Sequence, residues 1–149
     1  MNMQTQPDLS GIHLWLILWK AARAVEAHST RSVQSFGMSP TDFGVLEALL
    51  HKGPLTVTQL GEKVLLTSGS MTTAIDRLEK RSLVARCDDA CDRRARIINL
   101  TPEGRALIKK VFRRHRQAME EAISGFNPQE RAELLPLLRK LGTTAQQNL

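Results

Sequence analysis

The chain has 149 residues, and its 21 lysines and arginines exceed its 15 aspartates and glutamates, which gives a net charge of +6. With 42% hydrophobic and 24% charged residues it can build a core, which excludes wholesale disorder. The longest apolar run, 12–19, contains His13 and is far shorter than the roughly 20 residues of a membrane span. Nothing around it has the pattern of a signal peptide, so we expect a cytoplasmic protein with no membrane partner.

The positive charge is concentrated between residues 86 and 116. This segment carries ten basic and four acidic side chains, so it accounts for the whole excess of the chain. Five of the cations, from Arg86 to Arg105, surround a short polar stretch that is flanked by β-forming residues. A charge run is usually a solvated face, but concentration around a hairpin-like segment favours binding to nucleic acid.

The first half of the chain predicts three helices and one short strand. Apolar residues recur at three- and four-residue steps over about 9–35, which predicts a helix that Gly37 ends. Ser39-Pro40-Thr41-Asp42 then has the pattern of a helix start, and that second helix stops at Gly53-Pro54. Leu55-Thr56 predicts a short strand, and the capping-box spacing of 56–59 opens the third helix.

The second half predicts a helix, a hairpin and two further helices. A polar interruption at 67–70 supplies the cap of the fourth helix, whose inward stripe is Met71, Ala74, Ile75 and Leu78. Strands at 83–87 and 95–100 enclose a polar turn. A long helix runs from about 101 to 125, and Asn127-Pro128-Gln129-Glu130 caps a final helix in which we expect Pro136 to cause a kink.

This order of elements predicts a mainly α (α+β) fold, a winged helix-turn-helix with N- and C-terminal helical dimerisation arms. We expect a dimerisation helix over 1–38, the DNA-binding unit over 39–101 and dimerisation helices over 102–149, together forming one compact domain. Both arms are amphipathic and longer than a module of this size requires. They are therefore expected to pack together and against a second copy of the chain.

Several short stretches match a known family in both composition and spacing over about 40–110. They are Leu60-Gly61-Glu62-Lys63, Ser68-Gly69-Ser70-Met71-Thr72, Asp76-Arg77-Leu78-Glu79, Leu83-Val84, Asp92-Arg93-Arg94 and Leu100-Thr101-Pro102-Glu103-Gly104. With these motifs the chain resembles the MarR (multiple antibiotic resistance regulator) family. The segment 62–70 and His13-Leu14-Trp15 most resemble the branch that includes quinone- and aromatic-responsive repressors.

The resemblance implies a homodimer in which the first, fifth and sixth helices form the interface. Two winged units would then bind successive grooves of a pseudo-palindromic operator in double-stranded DNA. Because repression is the common mode of this family, we predict a transcriptional repressor. No cofactor is expected.

The predicted DNA contacts lie on the fourth helix and on the hairpin. Short hydroxyl side chains let a helix approach the major groove closely, which selects Ser68, Ser70, Thr72 and Thr73, while Arg77 is expected to hold a phosphate. The alternative for the hydroxyl cluster is simple helix capping.

In the hairpin, Asp92 and Arg94 match the Asp-x-Arg signature of the family, in which the carboxylate braces an arginine for the minor groove. Arg93 and Arg96 are expected to contact phosphates or to act as a second probe. The alternative is a surface salt bridge at a hairpin tip, which contributes little free energy.

The resemblance also implies a small-molecule pocket between the arms and the winged unit. Its candidate lining residues are His13, Trp15, Trp19, Phe36 and Phe43, which would favour a small aromatic ligand. The alternative is that these aromatic residues belong to the core.

Two further sensing routes remain open. Cys87 and Cys91 have arginines nearby and would allow a thiol switch, although thiol sensors of this family usually carry the reactive cysteine in the N-terminal arm. His28, His51 and His115 could converge with Glu26 on a metal ion, but they lack zinc-site spacing, so no metal site is predicted.

The sequence does not have the motifs of an enzyme. It contains no glycine-rich phosphate loop, no G-x-S-x-G turn and no pair of carboxylates in an apolar run. We therefore predict that the chain is not an enzyme. The remaining alternative is an adaptor whose wing binds another protein, and a weak dependence of DNA affinity on salt would favour that alternative.

Overall fold

The computed structural model describes residues 8–64, 68–88 and 96–149, without the side chain of Ser68. Its elements follow the predicted order and confirm the predicted winged helix-turn-helix, with boundaries within about three residues. The elements are α1 (Gly11–Gln34), α2 (Pro40–Lys52), β1 (Leu55–Thr56), α3 (Val57–Val64), α4 (Ser68–Lys80), β2 (Val84–Asp88), β3 (Arg96–Leu100), α5 (Pro102–Ala122) and α6 (Pro128–Gln147).

Local signals at the helix ends explain why the boundaries fall where they do. The Ser39 hydroxyl accepts a hydrogen bond from the backbone N–H of Asp42 at 3.1 Å, which caps α2. Thr56 and Gln59 form the predicted capping box, in which each side chain accepts from the other residue's backbone N–H. Asn127 and Glu130 form the same motif at the start of α6, which continues as helix through Pro136 to Gln147.

The three described strands form one antiparallel sheet in the order β1-β3-β2. Ile98 of β3 lies opposite Leu55 of β1 on one side and opposite Arg86 of β2 on the other. The fully buried side chains come from α1 to α5 and from β2 and β3, and include Leu46, Leu49, Leu60, Met71, Ile75, Leu78, Ile98, Ile108 and Val111. The predicted inward stripe of α4 is thus confirmed, and it fixes which face of α4 points to solvent.

The start of α5 is held against the turn that follows α4. The hydroxyl of Thr101 donates to the carbonyl of Ser82 at 2.7 Å, and its backbone N–H donates to the carbonyl of Leu83 at 3.2 Å. A Cβ atom on Gly104 would lie 1.8 Å from the same Leu83 carbonyl oxygen, so only glycine allows this approach. The Leu-Thr-Pro-Glu-Gly motif therefore joins the hairpin and α5 to the end of α4.

The chain divides into two compact units, one that ends at Met119 and one that covers Glu120–Leu149. In the second unit, Arg131 donates to a carboxylate oxygen of Glu120 at 2.6 Å and to the carbonyl of Phe126 at 3.1 Å. No helix within the described ranges is long and apolar enough to span a bilayer.

Candidate nucleic-acid interface

The outward face of α4 is polar and exposed. Because Met71, Ala74, Ile75 and Leu78 point inward, the helical repeat places Thr73, Asp76 and Lys80 on the opposite side. Ser70 and Thr72 lie on the two flanks of this face and are also exposed. The hydroxyl of Thr73 donates to the carbonyl of Gly69 at 3.1 Å, which leaves its oxygen available as an acceptor.

The structure therefore brings Ser70, Thr72 and Thr73 together on the exposed side of one helix, as the sequence predicts. Ser68 lies in the first turn of α4, but its side chain is outside the described part of the molecule. Simple capping does not account for Thr73, because its hydrogen bond runs back to the carbonyl four residues earlier within the helix.

Arg77 has a partner that sequence reasoning missed. Its guanidinium forms a two-pronged contact with the carboxylate of Asp42 on α2, in which Nε lies 3.1 Å from both oxygens. Asp42 is buried, with 2% of its surface exposed, and Arg81 lies 3.8 Å from it. The hydrogen bond to Asp42 raises the pKa of Arg77 above its ordinary value.

These contacts give Arg77 a structural role in addition to the predicted phosphate contact, which stays a prediction. A buried carboxylate requires a compensating cation, and Arg77 on α4 and Arg81 directly after it supply this charge. The pair thus fastens α4 to α2. The sequence signal was present in the spacing of the two arginines, because residues four positions apart at the end of a helix lie on the same side of it.

Arg86 fastens the opposite flank of α4 to the hairpin. Its guanidinium contacts the carboxylates of Asp76 and Glu79, both on α4, and its backbone N–H donates to Glu79 Oε1 at 3.4 Å. The hydrogen bond to Asp76 raises the pKa of Arg86, and the charge of Glu79 adds to the effect. From the sequence, Arg86 was predicted as part of the basic segment and as a cation beside Cys87, but not as a partner of α4.

The hairpin carries the other predicted contacts. Arg96 is exposed at the start of β3, where it lies opposite Asp88 of β2. The predicted wing residues Asp92, Arg93 and Arg94 lie outside the described residues, as does Cys91. Cys87 is exposed and carries a free thiol.

The five candidate pocket residues do not converge within one chain. Trp15 and Trp19 stack on each other on the exposed face of α1, with ring centroids 6.4 Å apart, and Arg23 lies 5.3 Å from the Trp19 ring. His13 is also exposed on this helix. Phe36, which follows the other end of α1, and Phe43 instead pack against the core, and Trp19 is roughly 22 Å from that end of α1 at 1.5 Å per residue.

Phe43 takes part in a different cluster, between α2 and α5. Its ring centroid lies 4.6 Å from that of His115, and His51 lies 4.9 Å from Phe112. Burial lowers the pKa of His115, the nearby Glu47 acts in the opposite direction, and the buried Nδ1 atom has no hydrogen-bond partner among the described residues. Among the residues that the structure describes, no three His, Cys, Asp or Glu side chains are grouped to hold a metal ion.

The arrangement has the geometry of a DNA-binding domain. Helices α3 and α4 form a helix-turn-helix, α4 presents its hydroxyl-bearing face to solvent, and an antiparallel hairpin begins directly after it. The molecule is therefore a winged helix-turn-helix transcriptional regulator.

Comparisons with known proteins specify this class. The family model described as MarR family matches residues 36–95. The HTH-type transcriptional regulator MhqR of Bacillus subtilis is 34% identical over 136 residues, which cover 91% of this chain and 94% of that protein. The chain belongs to the MarR family.

Solved structures agree with this assignment. Sco3205, a MarR family regulator from Streptomyces coelicolor solved in complex with DNA, matches with a TM-score of 0.80 and 25% identity, covering 94% of both chains. BpsR of Bordetella bronchiseptica, whose DNA binding is regulated by 6-hydroxynicotinic acid, matches with a TM-score of 0.76 and 28% identity over 92% of this chain and 96% of its own.

Proposed function

We propose that this chain is a repressor that binds a pseudo-palindromic operator as a homodimer and is released by a small aromatic, phenolic or quinone ligand. The observation that carries the DNA-binding part is the outward face of α4, where Ser70, Thr72 and Thr73 are exposed beside the hairpin. In this proposal residues 39–101 bind DNA, and 1–38 and 102–149 dimerise. The protein acts in the cytoplasm.

The two parts of the interface have different tasks. Hydroxyl groups on α4 donate to and accept from base edges in the major groove, where each base pair has a distinct pattern. Arg94, braced by Asp92, enters the narrow minor groove, where the negative potential attracts a guanidinium. Arg93 and Arg96 contact phosphates and thereby set the position of the wing.

The exposed apolar surface of α1 supports the homodimer. All seven apolar side chains between residues 12 and 19 are exposed, with values of 62% for Ile12, 54% for Trp15 and 55% for Ile17. In the second unit, Leu135 and Leu137 of α6 are 55% and 63% exposed. Monomers rarely leave apolar patches of this kind in water, and a second copy covers them with the same surfaces.

The stacked tryptophans support an aromatic ligand. A planar ring packs well against Trp15 and Trp19, and the cation of Arg23 beside them suits an electron-rich or anionic ring. Because these residues lie far from Phe36 and Phe43 in one chain, a complete pocket needs the α1 helix of a second copy. The regulation of BpsR by 6-hydroxynicotinic acid agrees with a ligand of this class.

The test is binding of the full chain to DNA duplexes selected in vitro from a random pool. We expect tight binding of one duplex with inverted half-sites, and a log–log salt slope of roughly −5 to −9 for six to ten neutralised phosphates. Arg94→Ala is expected to weaken this binding sharply with little change in melting temperature, while the exposed Lys52→Met leaves it nearly unchanged. Failure to select any duplex, or a flat salt response, refutes the proposal.

Ligand release is tested on the same duplex with a panel of phenols, quinones and aromatic acids. We expect at least one class to lower the affinity, and Trp19→Ala to reduce that response. Because a thiol route would also respond to quinones, the panel is repeated with Cys87 and Cys91 both replaced by serine. A quinone response that survives this double replacement excludes the thiol route.

A further inference from the structure

The contacts of Arg86 join two elements that would enter different grooves of DNA. Arg86 lies in the middle of β2, and its guanidinium contacts Asp76 and Glu79, which are three residues apart on α4. The Arg86 side chain is only 20% exposed, whereas those of Asp76 and Glu79 are 52% and 40% exposed. The partly buried Arg86 guanidinium therefore links the hairpin to two positions of α4, the proposed recognition helix.

This link differs from an ordinary surface salt bridge because it includes the backbone. β2 is an edge strand, so every second N–H points away from β3 and has no partner in the sheet. The N–H of Arg86 points outward and donates to Glu79 Oε1, while the Glu79 Oε2 atom accepts from the Arg86 side chain. Glu79 of α4 thus holds both the backbone and the side chain of Arg86.

On its other flank α4 is held by the contact between Arg77 and the buried Asp42 of α2. Among the described residues, α4 therefore has ionic links both to α2 and to β2 of the hairpin. Without the second link, the direction of β2 relative to α4 depends on the turn at 81–83 with its bonds to Thr101, on pairing with β3 and on packing by buried residues such as Val84.

We propose that Arg86 is a positioning residue that couples the wing to the recognition helix, so that the two groove contacts bind as one rigid unit. This inference rests on the proposed DNA-binding function. A preorganised wing gains its full contact energy, because no freedom is lost when it enters the groove. A wing that swings freely relative to α4 loses part of that energy to ordering.

Arg86 has a second effect that must be separated from the first. Asp76 lies on the outward face of α4, where a free carboxylate would repel DNA phosphates. The contact with Arg86 compensates this charge. Loss of Arg86 therefore weakens DNA binding both through a freer wing and through an uncompensated Asp76.

The experiment is a double-mutant cycle on the duplex selected by the wild-type protein. Arg96→Ala, at the start of β3, removes a wing contact, and its cost is measured in the wild-type and in the Arg86→Met background. We expect a loss of about tenfold in the wild type and less than about threefold in Arg86→Met, because a freely swinging wing contributes less. A merely structural or electrostatic role of Arg86 predicts the same loss in both backgrounds.

The electrostatic effect is separated by Asp76→Asn. Combined with Arg86→Met, it is expected to restore part of the affinity but to leave the reduced cost of Arg96→Ala unchanged. Lys52→Met, which removes one exposed cation from α2, serves as the control and should leave the full tenfold cost in place. If Arg86→Met does not fold, the cycle is run with Glu79→Gln, which weakens the same link.

A second readout does not depend on DNA. Amide hydrogen exchange in the free protein is expected to be faster along β2 in Arg86→Met than in the wild type, with α2 unchanged, and Arg86→Lys should lie between them. An equal cost of Arg96→Ala in both backgrounds, or unchanged exchange along β2, overturns the coupling. If the wild type selects no duplex, the proposed function fails, and the exchange measurement still decides whether Arg86 holds the wing.

Discussion

Replacement of Gly104 by alanine tests how α5 is joined to the winged unit. The new Cβ would lie 1.8 Å from the carbonyl oxygen of Leu83, and real Cβ contacts do not fall below 3.0 Å. The first turn of α5 must therefore move away from Leu83 by at least about 1.2 Å. Both partners are backbone, so no side-chain rotation relieves the overlap.

The magnitude follows from the bonds at this contact. The movement disturbs the bonds from Thr101 to the carbonyls of Ser82 and Leu83, at 2.7 and 3.2 Å, and the bond from the Gly104 N–H to the Thr101 hydroxyl, at 2.9 Å. Three bonds at about 1 kcal/mol each are partly offset by the better helix propensity of alanine, about 1 kcal/mol. We expect a net loss of about 2 kcal/mol, and more if Ile108 is displaced from the core.

The assay is urea unfolding followed by circular dichroism at one fixed protein concentration, since dimerisation makes the stability depend on concentration. Gly69→Ala is the matched control, because Gly69 also lies in the first turn of a helix but a Cβ there would meet nothing within 4 Å. It should be neutral or stabilise by up to about 1 kcal/mol. A Gly104→Ala variant as stable as the wild type refutes the reasoning.

Three further outcomes are expected. Arg77→Met lowers the free energy of unfolding, because the buried Asp42 loses its main partner. We expect a loss of about 1–2 kcal/mol, a value discounted for the 45% exposure of the Arg77 side chain. If Arg77 only held a phosphate, its replacement would leave unfolding in urea unchanged. Burial lowers the pKa of His115, so the folded state resists its protonation and the free energy of unfolding should fall as the pH drops below about 6.5. In His115→Gln we expect a smaller fall between pH 8 and 5.5. A pH profile of unfolding identical to that of the wild type contradicts this role of His115. Ile12→Asp combined with Ile17→Asp places two charges in the exposed apolar run of α1 and should convert a dimer to a monomer in sedimentation, whereas an unchanged dimer would exclude this surface from the interface.

Features that depend on neighbouring residues were predictable from the sequence. The caps at Ser39, Thr56 and Asn127 use side chains that reach backbone N–H groups three residues away, so a four-residue pattern contains the whole interaction. The inward stripe of α4 follows in the same way from the helical repeat. The motif residues likewise predicted the family, since their spacing reflects the order of these elements.

The partners of the charged residues were not predictable in this way. Arg77 meets Asp42, which is 35 positions away, and Arg86 meets Asp76 and Glu79 only because the chain turns back after α4. Both arginines count equally toward the net charge of +6, although each is compensated by carboxylates. The packing of helices and strands, and not the charge count, decides which cations remain for DNA.

The sequence by itself determined the elements, their order, the exposed hydroxyl face of α4 and the basic segment around the hairpin. The tertiary structure alone decided that Gly104 touches the Leu83 carbonyl, that Trp15 and Trp19 lie far from Phe36 and Phe43 in one chain, and that Arg86 links the wing to α4. The physical reason is the distance along the chain between the residues that interact. Caps and helical faces arise within a few residues, whereas contacts between elements depend on how buried apolar surfaces bring distant segments together.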